Sequence, residues 1–392
     1  MTMTPQVSIR AMYMRGGTSK GVFFVPEDLP ASCRQPGADR DALMLRVIGS
    51  PDAYGKHIDG MGGATSSTSK VVLVSRSDRP DCDVDYLFGA VAIEEAVVDW
   101  SGNCGNLTAA VAPFAIARGL VDAPEEGVVT VRIWQANLGK IIISRVQMHG
   151  GEVVETGDFE LDGVAFPSAE IRLDFLDPGG DEDSGDGAMF PTGNRIDRLD
   201  VPGVGTVEAT LINAGNPAVF IDAHALGLQG NEMQADVNGD TSLLGKFEAI
   251  RAAAAVAMGL AFSSAEATAT RPATPKIAFV SRGVDYVASS GKVIKGSEVD
   301  ICARILSMGK LHHAMTGTGA VAIAVAAAIP GTLVSRLVGT TAAQEIRFGH
   351  PSGTLLVGAE AKESDAGWVV SKATMSRSAR RLMDGVVFVP GV

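Results

Sequence analysis

The sequence predicts a mixed α/β protein made of two similar domains that face one another across a cleft. Three observations carry this. A glycine- and asparagine-rich turn leads into a run of small apolar residues within Asp99–Ile116, and a glycine turn followed by a similar run occupies His312–Ile329. Each half also opens with strand patterns, broken by a glycine-rich loop in the first and by a Gly/Asn turn in the second. With 392 residues the chain is long enough for two domains of ordinary size.

In the first half, Val7, Ile9, Ala11 and Tyr13 alternate as a half-buried strand does. Met14–Gly21 reads as a glycine-rich loop and Val22–Val25 as the next strand. Asp41–Val47 has helical spacing. Gly60–Lys70 is a second polar, glycine-rich loop that runs into a strand at Val71–Ser75. Tyr86–Val98 reads as further strand, followed by the Cys104 turn and its helix, which Pro113 should kink or shorten. Val128–Trp134 and Lys140–Val146 are expected to pair as strands.

The acidic, glycine-rich segment Asp177–Gly187 lacks periodicity and marks a linker, placing the domains at 1–186 and 187–392, with the last strand free to pack on the first domain. It lacks the spacing and terminal Glu of a calcium-binding loop. The second half repeats the plan. Val207–Ile221 is strand, turn, strand; Leu243–Gly259 is helical; Pro275–Val280 is a strand. The stretch beginning at Thr316 then mirrors the one beginning at Cys104, so that Thr316 falls where Cys104 falls. Both helices are apolar on every face and are expected to be buried.

Composition narrows the function. A net charge of −12 argues against nucleic acid as a partner. The longest apolar run, Ala320–Ile329, has ten residues and stops at Pro330, too short to cross a membrane. Cys33, Cys82, Cys104 and Cys302 show no zinc spacing, and four scattered cysteines fit reduced thiols in the cytoplasm. No metal and no cofactor are expected. Gly317–Ala322 meets the dinucleotide fingerprint only loosely, and Lys20 precedes the last glycine of its loop, unlike a phosphate loop. His312 and His313, being adjacent, would diverge on a helix and could not share a metal.

Cys104 is the focus of the candidate chemistry. An isolated cysteine is usually buried filler, but this one stands between turn formers, Gly102, Asn103, Gly105 and Asn106. A helix start directs N–H groups and a positive dipole end at its surroundings, which favours a thiolate and binds a carboxylate. Donors to a carboxylate-bearing substrate are therefore sought at Asn103 and the backbone N–H groups of Gly105, Asn106, Gly317, Thr318 and Gly319, beside Thr316. Hydroxyls of Ser19, Ser67, Thr68 and Ser69 add donors.

The stretches Met14–Phe24, Asp59–Lys70, Trp100–Asn106, Ser307–Met315 and Phe348–Gly353, in this order and over nearly the whole chain, resemble the PrpF family of 2-methylaconitate cis–trans isomerases, within the diaminopimelate-epimerase-like superfamily. The resemblance implies two domains, each a curved sheet around a central helix, with the active site in the cleft between them where the two helix starts converge. It implies a lysine and a cysteine as the catalytic pair, matching Lys70 and Cys104, and places Lys276 and Met308 in substrate-lining segments. Diaminopimelate epimerases carry a cysteine at each helix start; this chain has Thr316 at the second, which argues against a symmetric two-thiol racemisation.

The implied reaction is proton abstraction and return on an unsaturated tricarboxylic acid, through a dienolate, in propionate catabolism by the 2-methylcitrate route. A free lysine amine, with a pKa near ~10.4, is a weak base at neutral pH unless its surroundings change that. Related reactions compete: 4-oxalomesaconate tautomerisation and methylitaconate isomerisation. A reading of another class is a non-catalytic accessory protein of an aconitase-like iron–sulfur dehydratase. The implied partners are a small tricarboxylate, that dehydratase as a functional link, and a second copy in a homodimer.

Overall fold

The computed structural model describes residues 6–179, 188–339, 344–364 and 367–390. The chain divides into two compact units. The first comprises Met1–Leu161, Phe166–Arg172 and Arg377–Val392; the second comprises Asp162–Ala165 and Leu173–Ser376. The chain after Leu173 already belongs to the second unit, and its last residues return to the first. Residues 180–187 of the acidic segment lie outside the described residues.

In the first unit, β1 (Val7–Gly16) and β2 (Ser19–Phe24) form a hairpin in which Gly16 faces Ser19. The expected loop 14–21 is mostly strand, because Gly17, at φ +51°, allows the chain to reverse in two residues. A crossover containing α1 (Ala38–Ile48) leads to β3 (Lys70–Arg76), which lies parallel to β2. Strand β4 (Val84–Val91) runs antiparallel to β3. The single strand expected over 86–98 is interrupted: Ala92 N–H donates to Val97 O around an exposed Glu94-Glu95-Ala96 turn before β5 (Val98–Asp99) resumes pairing. Then come α2 (Gly105–Ala117), the paired strands β6 (Gly127–Gln135) and β7 (Lys140–His149), and the short β8 (Glu152–Val153). Strand β6 returns parallel to β4.

Every residue of α2 from Gly105 to Ala115 is buried, as its small apolar sequence requires. Pro113 does not shorten the helix, which continues to Ala117. The residue one turn earlier, where the proline ring crowds the helix, is the small Ala109.

The second unit contains β9 (Ile171–Leu176, its first two residues in the first unit), β10 (Asp197–Val201), β11 (Gly205–Ala214) and β12 (Asn216–Asp222). Helices α3 (Gln234–Asn238), α4 (Thr241–Ala257) and α5 (Ser264–Thr270) fill the crossover to β13 (Lys276–Arg282), which is parallel to β12. A small ribbon of β14 (Tyr286–Val287) and β15 (Val293–Ile294) precedes β16 (Ile301–Ser307) and β17 (Lys310–Leu311). Then follow α6 (Gly317–Ala328), α7 (Leu333–Val338), β18 (Glu345–His350), β19 (Gly353–Ser364) and β20 (Gly367–Arg377). Finally β21 (Ala379–Val389) belongs to the first unit, antiparallel to β1.

The two units share one pairing order. In each, a hairpin is followed by a helical crossover to a parallel strand (β2 to β3, β12 to β13). An antiparallel neighbour comes next (β4, β16). A wholly apolar helix then leads to a strand parallel to that neighbour (α2 to β6, α6 to β18). Thr316 and Cys104 thus hold equivalent topological positions. Cores form where α4 covers β10–β13, with Phe247 stacked on Phe279 at 5.3 Å, and where α1 covers the β1–β3 region of the first unit.

Candidate active site

Lys70 opens β3 and is 6% exposed. The parallel register that aligns Val22 with Val71 sets Lys70 level with Gly21, close to the hairpin turn that carries Ser19. Its Nζ lies 3.0 Å from Ser19 Oγ and 3.2 Å from Cys104 Sγ, and 5.7 Å from the centre of the Phe88 ring. A buried ammonium without partners would cost several kcal/mol, so these neighbours are what let the amine sit here. A nitrogen and a sulfur at this distance can exchange a proton directly.

Cys104 is the N-cap of α2. Its backbone is extended (φ −114°, ψ 90°) and its Sγ accepts from Leu107 N–H at 3.5 Å. The first intrahelical bond runs from Thr108 N–H to Cys104 O, so the N–H groups of Gly105 and Asn106 precede it. The Cys104 carbonyl also accepts from Tyr86 Oη at 3.2 Å. Burial, reinforced by the nearby Cys104 charge, pushes the Tyr86 phenol well above its ordinary range, so it stays a donor. The thiol is thus held from behind while its sulfur faces the amine. Asn103 is buried, and its Oδ1 accepts from Thr108 Oγ1 at 3.5 Å.

The loop before Lys70 holds itself together. Ser67 Oγ pairs with Thr65 Oγ1 at 3.0 Å, Thr68 Oγ1 with Thr65 Oγ1 at 2.8 Å, and Ser69 Oγ with His57 Nδ1 at 3.2 Å. Ser67 O accepts from Lys20 N–H, stitching the loop to β2. Of the four hydroxyl residues expected to bind substrate, Ser19 lies at the amine, and those of Ser67, Thr68 and Ser69 also pair within the loop itself.

The second unit builds a comparable group. Lys276 opens β13, and the register that aligns Ile277 with Leu306 places Ser307 beside it, with Nζ to Oγ at 3.0 Å. Thr316 caps α6, its Oγ1 accepting from Gly319 N–H at 3.1 Å. Gly319 is therefore a partner of its own cap rather than a spare donor, which leaves Gly317 and Thr318 as the leading N–H groups. Thr318 Oγ1 accepts from Asn216 Nδ2 at 3.2 Å, tying the helix start to the β11–β12 turn. Met308 stands next to Ser307 at φ +53°. His312 and His313 lie outside any helix and do not diverge: their rings stack at 4.6 Å. Among the described residues no cluster of His, Cys, Asp or Glu could hold a metal, and all four cysteines are free and buried.

Sequence reasoning missed Ser307, His57, Tyr86 and Arg377. Ser307 opens one of the quoted stretches, so pairing the strand that starts at Lys276 with its antiparallel neighbour would have found it. His57 lies twelve residues before Ser69 in the segment that leads to Lys70, whereas Tyr86 and Arg377 sit on separate strands and only the fold brings them to the α2 start.

The family model described as PrpF protein matches residues 6–390. The chain belongs to the PrpF family. Within this family it is 61% identical over 394 residues to the 2-methyl-aconitate isomerase of Cupriavidus necator, covering 100% of this chain and 99% of the relative. The crystal structure of a methylitaconate-delta-isomerase superposes with a TM-score of 0.75 at 39% identity, covering 98% and 96% of the two chains. A hydroxyproline epimerase from Agrobacterium vitis shares the fold alone, with a TM-score of 0.54 at 12% identity over 98% and 93%. This PrpF-family chain is accordingly an isomerase with the two-domain, epimerase-like α+β fold. Among its described residues no helix is long and apolar enough to cross a membrane.

Proposed function

We propose that this chain isomerises 2-methylaconitate between its cis and trans forms without a cofactor, using Lys70 and Cys104 as the proton-transferring pair. The observation that supports this reading is the 3.2 Å contact between Lys70 Nζ and Cys104 Sγ at the N-terminus of α2. One member of the pair removes a proton from the carbon conjugated, through the alkene, to a carboxylate. The electron pair moves into the π system and onto the carboxylate oxygens as a dienolate. Rotation about the bond that has lost double-bond character, followed by return of the proton to the same carbon, gives the other isomer. Each step balances without an oxidant or reductant. The developing oxygen charge needs donors in place, and the Gly105 and Asn106 N–H groups with the α2 dipole are suited to this. In the second unit, Lys276, Ser307 and the α6 start offer an ammonium, a hydroxyl and N–H groups for carboxylate recognition, and Met308 stands beside them.

Methylitaconate isomerisation is the second reading, favoured by the 39% identical solved structure. It differs only in the carbon to which the proton returns. The place in propionate breakdown, the link to an aconitase-like dehydratase, a homodimeric assembly and a cytoplasmic location belong to the same proposal, and family resemblance supports them more than geometry does. The deciding experiment compares wild type with Lys70→Ala in ultraviolet assays on trans-aconitate, 2-methylaconitate and methylitaconate. Loss of turnover on the aconitates, with an unchanged circular dichroism spectrum, is the expected result; full turnover by the variant would reject the role of Lys70.

A further inference from the structure

Arg377 lies outside every motif singled out in the sequence, yet it reaches the start of α2. It ends β20, and the next residue, Ser378, is pinned against the first hairpin. Gly17 N–H donates to Ser378 O at 2.8 Å, and Arg15 Nη1 donates to the same oxygen at 3.0 Å. The Arg377 side chain then runs inward, past Gly17, and the whole residue is 2% exposed. A Cβ at Gly17 would come within 3.1 Å of Arg377 Cδ, so glycine there keeps the path open. At its end, Nε donates to Asn106 Oδ1 at 3.0 Å.

Asn106 is the second residue of α2, two past Cys104. A guanidinium offers donors only, so it must meet the amide oxygen, and the amide NH2 is turned the other way. There it donates to Thr18 Oγ1 at 3.1 Å. Thr18 precedes Ser19, the hydroxyl that accepts from Lys70. One buried guanidinium thereby sets the orientation of the amide that fastens the Ser19 turn to the helix start, and with it the spacing between amine and thiol.

We propose that Arg377 is a positioning residue for the Lys70–Cys104 pair: by orienting Asn106 it fastens the Thr18–Ser19 turn, and with it the Lys70 amine, to the start of α2. Burial lowers the guanidinium to about 10, still high enough for it to remain a donor-only cation toward Asn106 at neutral pH. The inference rests on Cys104 being the working thiol, and the test reads that thiol without turnover.

The rate of iodoacetamide labelling of Cys104 at one pH, followed by peptide mass mapping, is measured together with kcat and KM in wild type, Arg377→Gln and Arg377→Lys. In the Gln variant the labelling rate should change by about threefold or more, because the Ser19 turn is no longer fastened to the helix start, and kcat should fall about tenfold or more with a smaller change in KM. The Lys variant keeps a donor for the Asn106 oxygen but not the planar fork, and should recover part of both losses. Wild-type labelling and kcat in the Gln variant would overturn the inference. If the Gln variant does not fold, Asn106→Ala carries the claim: its labelling rate and kcat must change in the same direction, and unaltered values would overturn it. Absence of turnover on every acid in wild type would count against the proposed function, while a changed labelling rate in the Gln variant would still support the present inference.

Discussion

Lys70 and Cys104, 34 residues apart in the chain, meet at 3.2 Å between Nζ and Sγ. One comes from the first position of a strand and the other from the cap of a helix. Neither element alone would place its side chain here. The contact exists because β2 lies parallel to β3 while α2 packs on both strands.

Replacing the thiol by a hydroxyl separates capping from chemistry. Cys104→Ser supplies a favoured N-cap oxygen for Leu107 N–H, so thermal stability should hold or rise by up to about 1 kcal/mol. Turnover on trans-aconitate should nevertheless drop by about 10²- to 10⁴-fold, the usual worth of a positioned acid or base. A serine variant as active as wild type would remove the thiol from proton transfer.

The hairpin must approach the helix without a side chain at Gly16. A Cβ there would stand 2.6 Å from Asn106 O and 2.8 Å from Leu107 Cα, both fixed backbone atoms. Gly16→Ala should therefore push the Ser19 turn off the helix start, costing about 1–3 kcal/mol as overpacking does. Urea unfolding measures the cost, and kcat should fall as the Ser19–Lys70 contact lengthens. Unchanged stability would show that the turn can yield.

In the second unit, Thr316→Ala removes the Oγ1 that accepts from Gly319 N–H. The helix behind it is buried throughout, so water cannot easily replace the cap. A loss of about 1–2 kcal/mol in unfolding free energy is expected, with Thr316→Ser close to wild type. Equal losses for both variants would show that the hydroxyl is not what matters.

Acid should loosen the loop that leads to Lys70. The Asp52 carboxylate accepts N–H bonds from Lys56, Tyr54 and His57, which hold it below its ordinary range, the Lys56 bond contributing most. A carboxyl held low in the folded state stabilises fully above its unfolded value, about 3.9, and loses that contribution as pH falls through its folded value. Thermal melts of wild type and Asp52→Asn should differ most near about pH 7 and converge near about pH 2. A gap that stays constant with pH would contradict this assignment.

Much of this was readable in advance because it is local. The alternation at Val7–Tyr13, the glycine turns and the two small-residue apolar runs each act through neighbours in the chain, and each gave an element near its expected place. The strand expected over 86–98 failed for an equally local reason: Glu94 and Glu95 mark an exposed turn. Hydroxyls were harder, since Ser19 and Ser69 look alike in sequence and only their partners, Lys70 and His57, set them apart.

The sequence alone determined the repeated plan, the helix starts at Cys104 and Thr316, and the residue types available for proton transfer, because capping and periodicity depend on a few adjacent positions. Tertiary structure alone decided which lysine partner each hydroxyl takes, that Gly319 serves its own cap, and that Arg377 orients Asn106 across 271 residues of chain. Such pairings follow from strand register and buried packing, which depend on the whole fold and leave no periodic trace in the order of amino acids.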